Sequence, residues 1–230
     1  GGGIFNESGS LTATNIVFNN NGTDIGSGGG VFNYNANATL VNAVFSENYS
    51  GNSGGGISNV SNGILVVRDS TLANNTSEFG GGVSNSGVLS MFNVTISGNS
   101  AFEQGGGVSN SGTLTLFNAT ISGNSGRDGG GLLGEGTINL VHVTFSENES
   151  GIYQTGAGVF TLKNVLLHAS TDYNCQVQSG ASAITSAGFN LSSDSSCPFN
   201  QAGDRVNVDP RLGPLADNGG FTRTHMLLPD

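Results

Sequence analysis

Apolar residues recur along the first two thirds of the chain in a repeat of 24 to 27 residues. Each of the first six repeats opens on three consecutive glycines, which begin at positions 1, 28, 54, 80, 105 and 129. An aliphatic residue follows each glycine triplet, and further along each repeat two apolar residues are separated by a single position. A spacing of two is typical of a β-strand with one buried face. The pattern therefore predicts a repeat protein built from short strands.

The apolar positions form four columns when the repeats are aligned on their glycines. Each repeat is expected to bury its apolar side only against its neighbours, so equivalent residues should stack along one axis. Helical repeats need apolar spacings of three and four, which these columns do not show. The columns comprise Ile4, Val31, Ile57, Val83, Val108, Leu132 and Ile152; Leu11, Ala38, Leu65, Leu89, Leu114, Ile138 and Phe160; Ala13, Leu40, Val67, Met91, Leu116, Leu140 and Leu162; and Phe18, Phe45, Leu72, Ile96, Ile121, Phe145 and Leu167.

These columns predict an all-β fold, a single-stranded parallel β-helix. We expect about seven coils, with three strands per coil, over residues 1–168. Residues 169–230 lack the glycine triplets and contain both cysteines of the chain. We predict that they form an irregular, disulfide-containing C-terminal tail that serves in capping or assembly and packs on the same domain.

Asparagines form three further columns, which we expect to mark the corners of the coils. Asparagine tolerates a left-handed backbone, and its carboxamide can bond to backbone groups or to the equivalent asparagine one coil away. The sequence therefore predicts asparagine ladders along the β-helix. The three columns are Asn15, Asn42, Asp69, Asn93, Asn118, His142 and Asn164; Asn21, Asn48, Asn75, Asn99, Asn124 and Asn148; and Asn6, Asn33, Asn59, Asn85 and Asn110.

Outward positions of one predicted strand carry a threonine in successive repeats, at Thr71, Thr95, Thr120 and Thr144. Threonine is favoured on any exposed strand, so this column alone does not identify a binding surface. The outward pair Phe92 and Phe117 is less usual, because adjacent exposed aromatic rings mark a contact surface. We expect the tail or a partner to cover this pair.

The charge balance restricts the partners. Six Lys and Arg face 16 Asp and Glu in 230 residues, a formal net charge of −10. Nucleic acid and anionic membranes bind clustered cations, so neither is an expected partner. No apolar run is long enough to span a membrane. The calcium-binding nonapeptide repeat is also absent, and neither a metal nor a cofactor is expected.

The only cysteines are Cys175 and Cys197, and neither belongs to a metal-binding pattern. We predict that they form a disulfide, by analogy with secreted, loop-rich segments; the alternative is two separate buried thiols. A disulfide across this loop contributes about 3 kcal/mol in the loop-entropy interpretation.

No catalytic residue is assigned. Enzymes on β-helices use several carboxylates with a base on neighbouring coils, whereas this repeat has only isolated charges at Arg68, Asp69, Arg127 and Asp128, with His142 in a column of asparagines. We interpret Asp69 and His142 as substitutes for asparagine at a corner. The sequence thus favours a protein that is not an enzyme.

The run of residues 105–124 resembles bacterial right-handed parallel β-helix proteins of the pectate-lyase-like superfamily. Residues 172–175, 186–191 and 208–215 resemble the ends of choice-of-anchor Q and polymorphic-outer-membrane-type surface proteins. The resemblance implies a secreted or cell-surface protein, in a group whose members mostly lack a known activity.

Self-assembly is the function that this reading favours. The chain opens on a full coil, and the exposed edge of a β-helix can template further pairing. We expect a structural protein that assembles head to tail into filaments, with Ile4 and Phe5 on one side of the contact and Met226, Leu227 and Leu228 on the other. Two alternatives stay open: a carbohydrate-binding or carbohydrate-degrading β-helix, and a monomeric adhesin module.

Eleven Asn-x-Ser/Thr sequons occur, but asparagine columns beside threonine-rich strands generate them by chance. Asn37 and Asn74 lie outside the columns and are the candidate glycosylation sites.

Overall fold

The computed structural model describes residues 1–168 and 170–229, in which every regular element is a β-strand. The strands wind into a parallel β-helix, so the predicted fold class is confirmed. Sheet A contains eight parallel strands. Since each coil contributes one strand to this sheet, the described residues form eight coils. Its strands are β1 (Ile4–Glu7), β4 (Val31–Tyr34), β7 (Ile57–Val60), β10 (Val83–Asn85), β13 (Val108–Asn110), β16 (Leu132–Gly134), β18 (Ile152–Gln154) and β21 (Cys175–Val177).

Sheet B is the longest wall of the rod. In the first six coils each of its strands has ten residues and holds three of the four predicted apolar columns. In the later coils this strand is split in two. The strands are β2 (Ser10–Asn19), β5 (Asn37–Ser46), β8 (Ile64–Ala73), β11 (Val88–Ser97), β14 (Thr113–Ser122), β17 (Thr137–Ser146), β19 (Phe160–Lys163), β20 (Leu166–His168), β22 (Ile184–Ser186), β23 (Leu191–Ser192) and β24 (Arg205–Val206).

Two smaller sheets complete the molecule. Sheet C adds a further parallel strand to each of the first five coils, and sheet D is an antiparallel hairpin near the C-terminus. Sheet C consists of β3 (Gly22–Thr23), β6 (Tyr49–Ser53), β9 (Thr76–Phe79), β12 (Ser100–Gln104) and β15 (Ser125–Asp128), and the hairpin consists of β25 (Leu212–Ala216) and β26 (Thr224–Leu227).

The eighth coil lies in the segment that the sequence predicted to be irregular. Cys175 pairs with Ile152 of the coil below, Ile184 with Phe160, and Leu191 with Leu166. Since this coil has neither a glycine triplet nor an asparagine at the expected corner, the alignment of repeats missed it. The parallel stacking nevertheless continues through β24.

A left-handed residue bends each long strand of sheet B at its middle. Asn15, Asn42, Asp69, Asn93, Asn118, His142 and Asn164 all have φ between 50° and 56°. This confirms the predicted corner and the interpretation of Asp69 and His142 as substitutes. A left-handed backbone is disfavoured for most L-residues, and asparagine is among the few that adopt it readily. The bend separates the first two apolar columns of the strand from the third, so that all three face one interior.

The corner between sheets C and A requires glycine. Gly54, the first residue of its triplet, has φ of 71°, and a Cβ there would collide with the carbonyl oxygen of Ile57. Only glycine combines this conformation with such close packing of backbone on backbone. The glycine triplets are thus a geometric requirement of the coil.

The column that begins at Asn21 forms a buried ladder inside the rod. The backbone N–H and the Nδ2 of Asn75 both donate to Oδ1 of Asn99, each over 2.9 Å, and Nδ2 also donates to the carbonyl oxygen of Phe45 over 3.1 Å. The same arrangement recurs from Asn21 to Asn148. The column that begins at Asn6 forms a second ladder, with amide contacts of 2.6 to 2.8 Å. The column that begins at Asn15 forms a third, largely exposed ladder, here called the outer ladder, in which Asn42 Nδ2 donates to Asn15 Oδ1 over 2.7 Å. The predicted ladders are therefore confirmed.

We predict that Asn99→Ala removes at least about 3 kcal/mol from the free energy of unfolding. The substitution leaves the backbone N–H and the Nδ2 of Asn75 without their acceptor and the Leu72 carbonyl without its donor. Each buried unpaired group costs about 1–3 kcal/mol. Urea denaturation followed by circular dichroism measures the loss.

The control is Asn118→Gly at the bend in the middle of the sheet B strand, here called the outer corner. Asn118 is exposed there, and glycine keeps the left-handed backbone. Water can replace the lost hydrogen bond there, so the loss should stay within about 1 kcal/mol. Equal losses in the two variants would contradict the role assigned to the buried ladder.

Candidate functional site

A disulfide secures the eighth coil. Cys175 and Cys197 are bonded, with their Cα atoms 4.8 Å apart, and both are buried. The bond joins the first strand of this coil to the segment that follows β23. The predicted pairing is thus confirmed, and the alternative of two free thiols is excluded.

Two carboxylates terminate the hydrogen-bonded corners at the C-terminal end. Asp204 accepts from the backbone N–H and Nδ2 of Asn190, from Ser186 Oγ and from the Gln201 N–H. Its contact with Asn190 reproduces the geometry of the buried ladder, but a carboxylate has no N–H to pass on. Asn190 lies beside Val165, next to strands β20 and β23 of sheet B, so this contact is separate from the buried ladder that runs from Asn21 to Asn148. Asp194 likewise accepts bonds from neighbouring serines and from the Asn174 N–H.

These bonds control the ionisation of both groups. Partial burial acts to raise the pKa of Asp204, but the hydrogen bonds from Ser186, Asn190 and Gln201 together outweigh it and lower the pKa below its ordinary value. The pKa of Asp194 is lowered in the same way, against partial burial, by bonds from Ser196, Asn174 and Ser192. Hydrogen bonds that stabilise the charged form of a carboxyl have this effect.

The hairpin of β25 and β26 folds back along the side of the rod. Thr95 Oγ1 donates to the carbonyl oxygen of Arg223 over 2.6 Å, and His225 Nε2 lies 3.0 Å from Ser122 Oγ. Thr95 and Thr120 become buried beneath the hairpin, although the sequence placed them on an outward face. The tail thus covers the middle of the threonine column, whereas Thr71 and Thr144 stay half-buried. It leaves Phe117 41% exposed, so the expected cover of the phenylalanine pair by the tail is wrong.

A groove of about 190 Å³ lies between the hairpin and the outer corner of sheet B. The rod contributes the side chains of Asn118, His142 and Thr144, and the hairpin contributes Phe221 and His225. No Asp, Glu, Lys or Arg among the described residues lines it. The groove is therefore polar but uncharged apart from its histidines.

The outer ladder is interrupted at the groove. Asn118 Nδ2 donates to Asn93 Oδ1 over 2.8 Å, as the pattern requires. His142 Nε2 instead pairs with Asn164 Nδ2, 2.8 Å away, and its ring meets Phe117 edge-on with centroids 5.3 Å apart. Within residues 1–168 and 170–229 nothing donates to Asn118 Oδ1. Sequence reasoning found His142 in the column but had no signal for the groove, which depends on the docked hairpin.

The residues predicted for assembly lie in two places. Phe5 is 52% exposed at the first coil and stacks on Phe32, while Ile4 beside it is half-buried. Met226 and Leu227 are in β26 and Leu228 follows it; all three are exposed. Because His225 contacts the fifth coil, these three residues lie on the side of the rod. The structure does not bring the two groups together within one molecule.

The two glycosylation candidates are exposed, whereas Asn75, which begins an overlapping sequon, is buried in the ladder.

The charged residues singled out in the sequence occupy separate positions. Arg68 lies over the Phe92 ring, 4.1 Å from its centroid, and Arg127 pairs with Glu103 over 3.1 Å at the surface. Among the residues described, no three His, Cys, Asp or Glu side chains are grouped as metal ligands. None of the described segments forms an apolar helix of membrane-spanning length.

Comparison of the chain with protein-family models, with curated proteins and with solved structures gave no match. The class of the protein is accordingly given by its fold, a parallel β-helix.

We predict that the free energy of unfolding falls in acid because the carboxylates of Asp194 and Asp204 become protonated. A carboxyl whose pKa is lowered on folding stabilises the native state fully above the ordinary pKa of about 3.9, and this contribution is lost as the pH falls through the lowered value. Urea denaturation between pH 7 and pH 2 should show this loss, and Asp204→Asn should weaken the dependence on pH. The change should be modest, because water screens part of the interaction at a half-exposed group.

Asp172→Asn, at an exposed aspartate, serves as the control and should follow the wild-type pH curve. If Asp204→Asn also follows that curve, Asp204 does not contribute as assigned.

Proposed function

We propose that the protein is an extracellular or cell-surface structural β-helix, a stiff rod that holds or spaces other parts of a surface assembly. The disulfide between Cys175 and Cys197 carries this proposal. Structural disulfides form and persist in oxidising compartments outside the cytosol. The proposal agrees with the resemblance to pectate-lyase-like β-helices and to surface proteins of the choice-of-anchor Q type.

The hydrogen bonding of the rod supports a mechanical role. Neighbouring coils are joined by parallel strand pairing and, at three corners, by side-chain amides. A rod whose repeats are fixed to their neighbours in this way resists bending and local opening, because any opening breaks several buried bonds at once. The exposed sequons at Asn37 and Asn74 suit the same setting, since glycans are attached to exposed asparagines of secreted proteins.

We predict that reduction of the disulfide lowers the free energy of unfolding of the C-terminal coil by about 3 kcal/mol, the value for a loop of this length. The bond spans 22 positions. Limited proteolysis of the oxidised and the reduced chain, followed by mass spectrometry, should show new cleavage confined to residues 170–229 after reduction. The variant Cys175→Ser/Cys197→Ser should behave like the reduced chain without any reductant.

Equal resistance of the oxidised and reduced chains would mean that the fold does not depend on an oxidising environment. The argument for an extracellular location would then fail.

Head-to-tail assembly is a second candidate. The observation that favours it is the exposure of apolar side chains at two separate places. Phe5 is 52% exposed in the first coil, and Met226 and Leu227 are 58% and 66% exposed in the hairpin. A second copy would place its hairpin against the first coil, and this heterologous contact would repeat along a filament.

We predict concentration-dependent fibres in negative-stain electron microscopy, and their loss in Phe5→Lys, because burial of an unpaired charge in the contact is unfavourable. Phe102→Lys is the matched control: Phe102 is 66% exposed on sheet C in the middle of the rod and should tolerate the change. Dispersed rods at all concentrations would exclude the polymer and leave the single rod.

A further inference from the structure

The outer ladder is interrupted at His142, and this interruption leaves polar side-chain groups in the groove that can bind a ligand. A ligand-binding role goes beyond the structural role proposed above. We propose that the groove between the hairpin and the outer corner of sheet B binds one residue of a neutral saccharide, through Asn118 and His142 on the rod and an aromatic wall on the hairpin. The proposal follows from three properties of the groove.

The first property is a paired donor and acceptor. Asn164 Nδ2 is a donor, so His142 Nε2 accepts from it, and the neutral imidazole then carries its proton on Nδ1. His142 Nδ1–H and Asn118 Oδ1 both find no partner among residues 1–168 and 170–229, and both side chains line the groove. A hydroxyl group accepts from one and donates to the other, which a monatomic ion or a purely apolar group cannot do.

The second property is the wall of the groove. Phe221 lines the groove from the hairpin and is 78% exposed. The C–H groups of a sugar ring carry a partial positive charge and pack on the negative face of an aromatic ring. Polar groups at the base and aromatic carbon at the side match the two faces of a pyranose.

The third property is charge and size. No carboxylate, ammonium or guanidinium group of the described residues lines the groove, which favours a neutral ligand. Its volume of about 190 Å³ is smaller than the 300–1,000 Å³ of sites for drug-sized molecules. It accommodates a single sugar residue, with the rest of a longer chain outside.

The test uses a variant that repairs the ladder. His142→Asn gives the corner the residue that Asn93 and Asn118 already provide, so the fold is expected to persist with an unchanged or higher melting temperature. The new Nδ2 donates to Asn118 Oδ1, which removes the acceptor offered to the ligand. Asp69→Asn is the matched control, because Asp69 interrupts the same ladder outside the groove and its replacement should leave binding unchanged.

The probes are the methyl glycosides of glucose, galactose, mannose and N-acetylglucosamine, titrated into the 15N-labelled chain and followed by NMR. We expect at least one of them to bind with a dissociation constant on the order of 1 mM, with shifts at the Asn118 side-chain amide and the Phe221 backbone amide. His142→Asn and Phe221→Ala should each weaken binding about tenfold, which corresponds to one lost contact of this kind.

Three results would overturn the proposal: no binding of any of the four glycosides, binding that His142→Asn leaves intact, or equal losses in His142→Asn and Asp69→Asn. Failure of the proposal is distinguishable from failure of the structural role, since neither the disulfide nor the polymer enters this measurement.

Discussion

A chain that turns at several corners in every coil must satisfy the polar groups that each turn buries, and the inner asparagine ladder meets this constraint. One Asn99 side chain accepts two hydrogen bonds from Asn75 and donates to the Leu72 carbonyl and to Asn124. Backbone pairing between strands cannot reach these corner groups. The regular stacking of the apolar columns therefore depends on an amide at this corner, because a hydrophobic residue there would leave several buried groups unpaired.

The inner ladder has a direction, and the last coils use a different corner. In the inner column each amide donates to the next coil, and the column ends at Asn148, whose Nδ2 donates to the Ile121 carbonyl. In the last coils a separate corner uses a carboxylate: Asp204 accepts from the N–H and Nδ2 of Asn190 and has no N–H to donate further. The cost is a dependence on pH that the amide ladders lack, since Asp204 must stay ionised to accept all of its bonds.

Deviations from the repeat mark the places where chemistry can differ. Asp69 and His142 both keep the left-handed corner, so the backbone of the coil is unchanged. Their side chains alter the outer ladder without disturbing the core, because this ladder is largely exposed and water can replace a missing partner. His142 becomes part of a site only because the hairpin places Phe221 and His225 opposite it.

The sequence by itself determined the β-helix, its left-handed and glycine corners, its ladders and its disulfide. The coils, corners and ladders recur with the period of the repeat. The disulfide was predictable because two cysteines allow only one pairing. The tertiary structure alone decided the eighth coil, the burial of Thr95 and Thr120, and the groove. Those depend on contacts such as Thr95 with Arg223, 128 positions apart, and Ser122 with His225, 103 apart. A periodic pattern specifies only the contacts between adjacent coils. A non-repetitive segment packs where its own side chains find hydrogen-bond and packing partners on the folded rod, and the repeat does not encode that position.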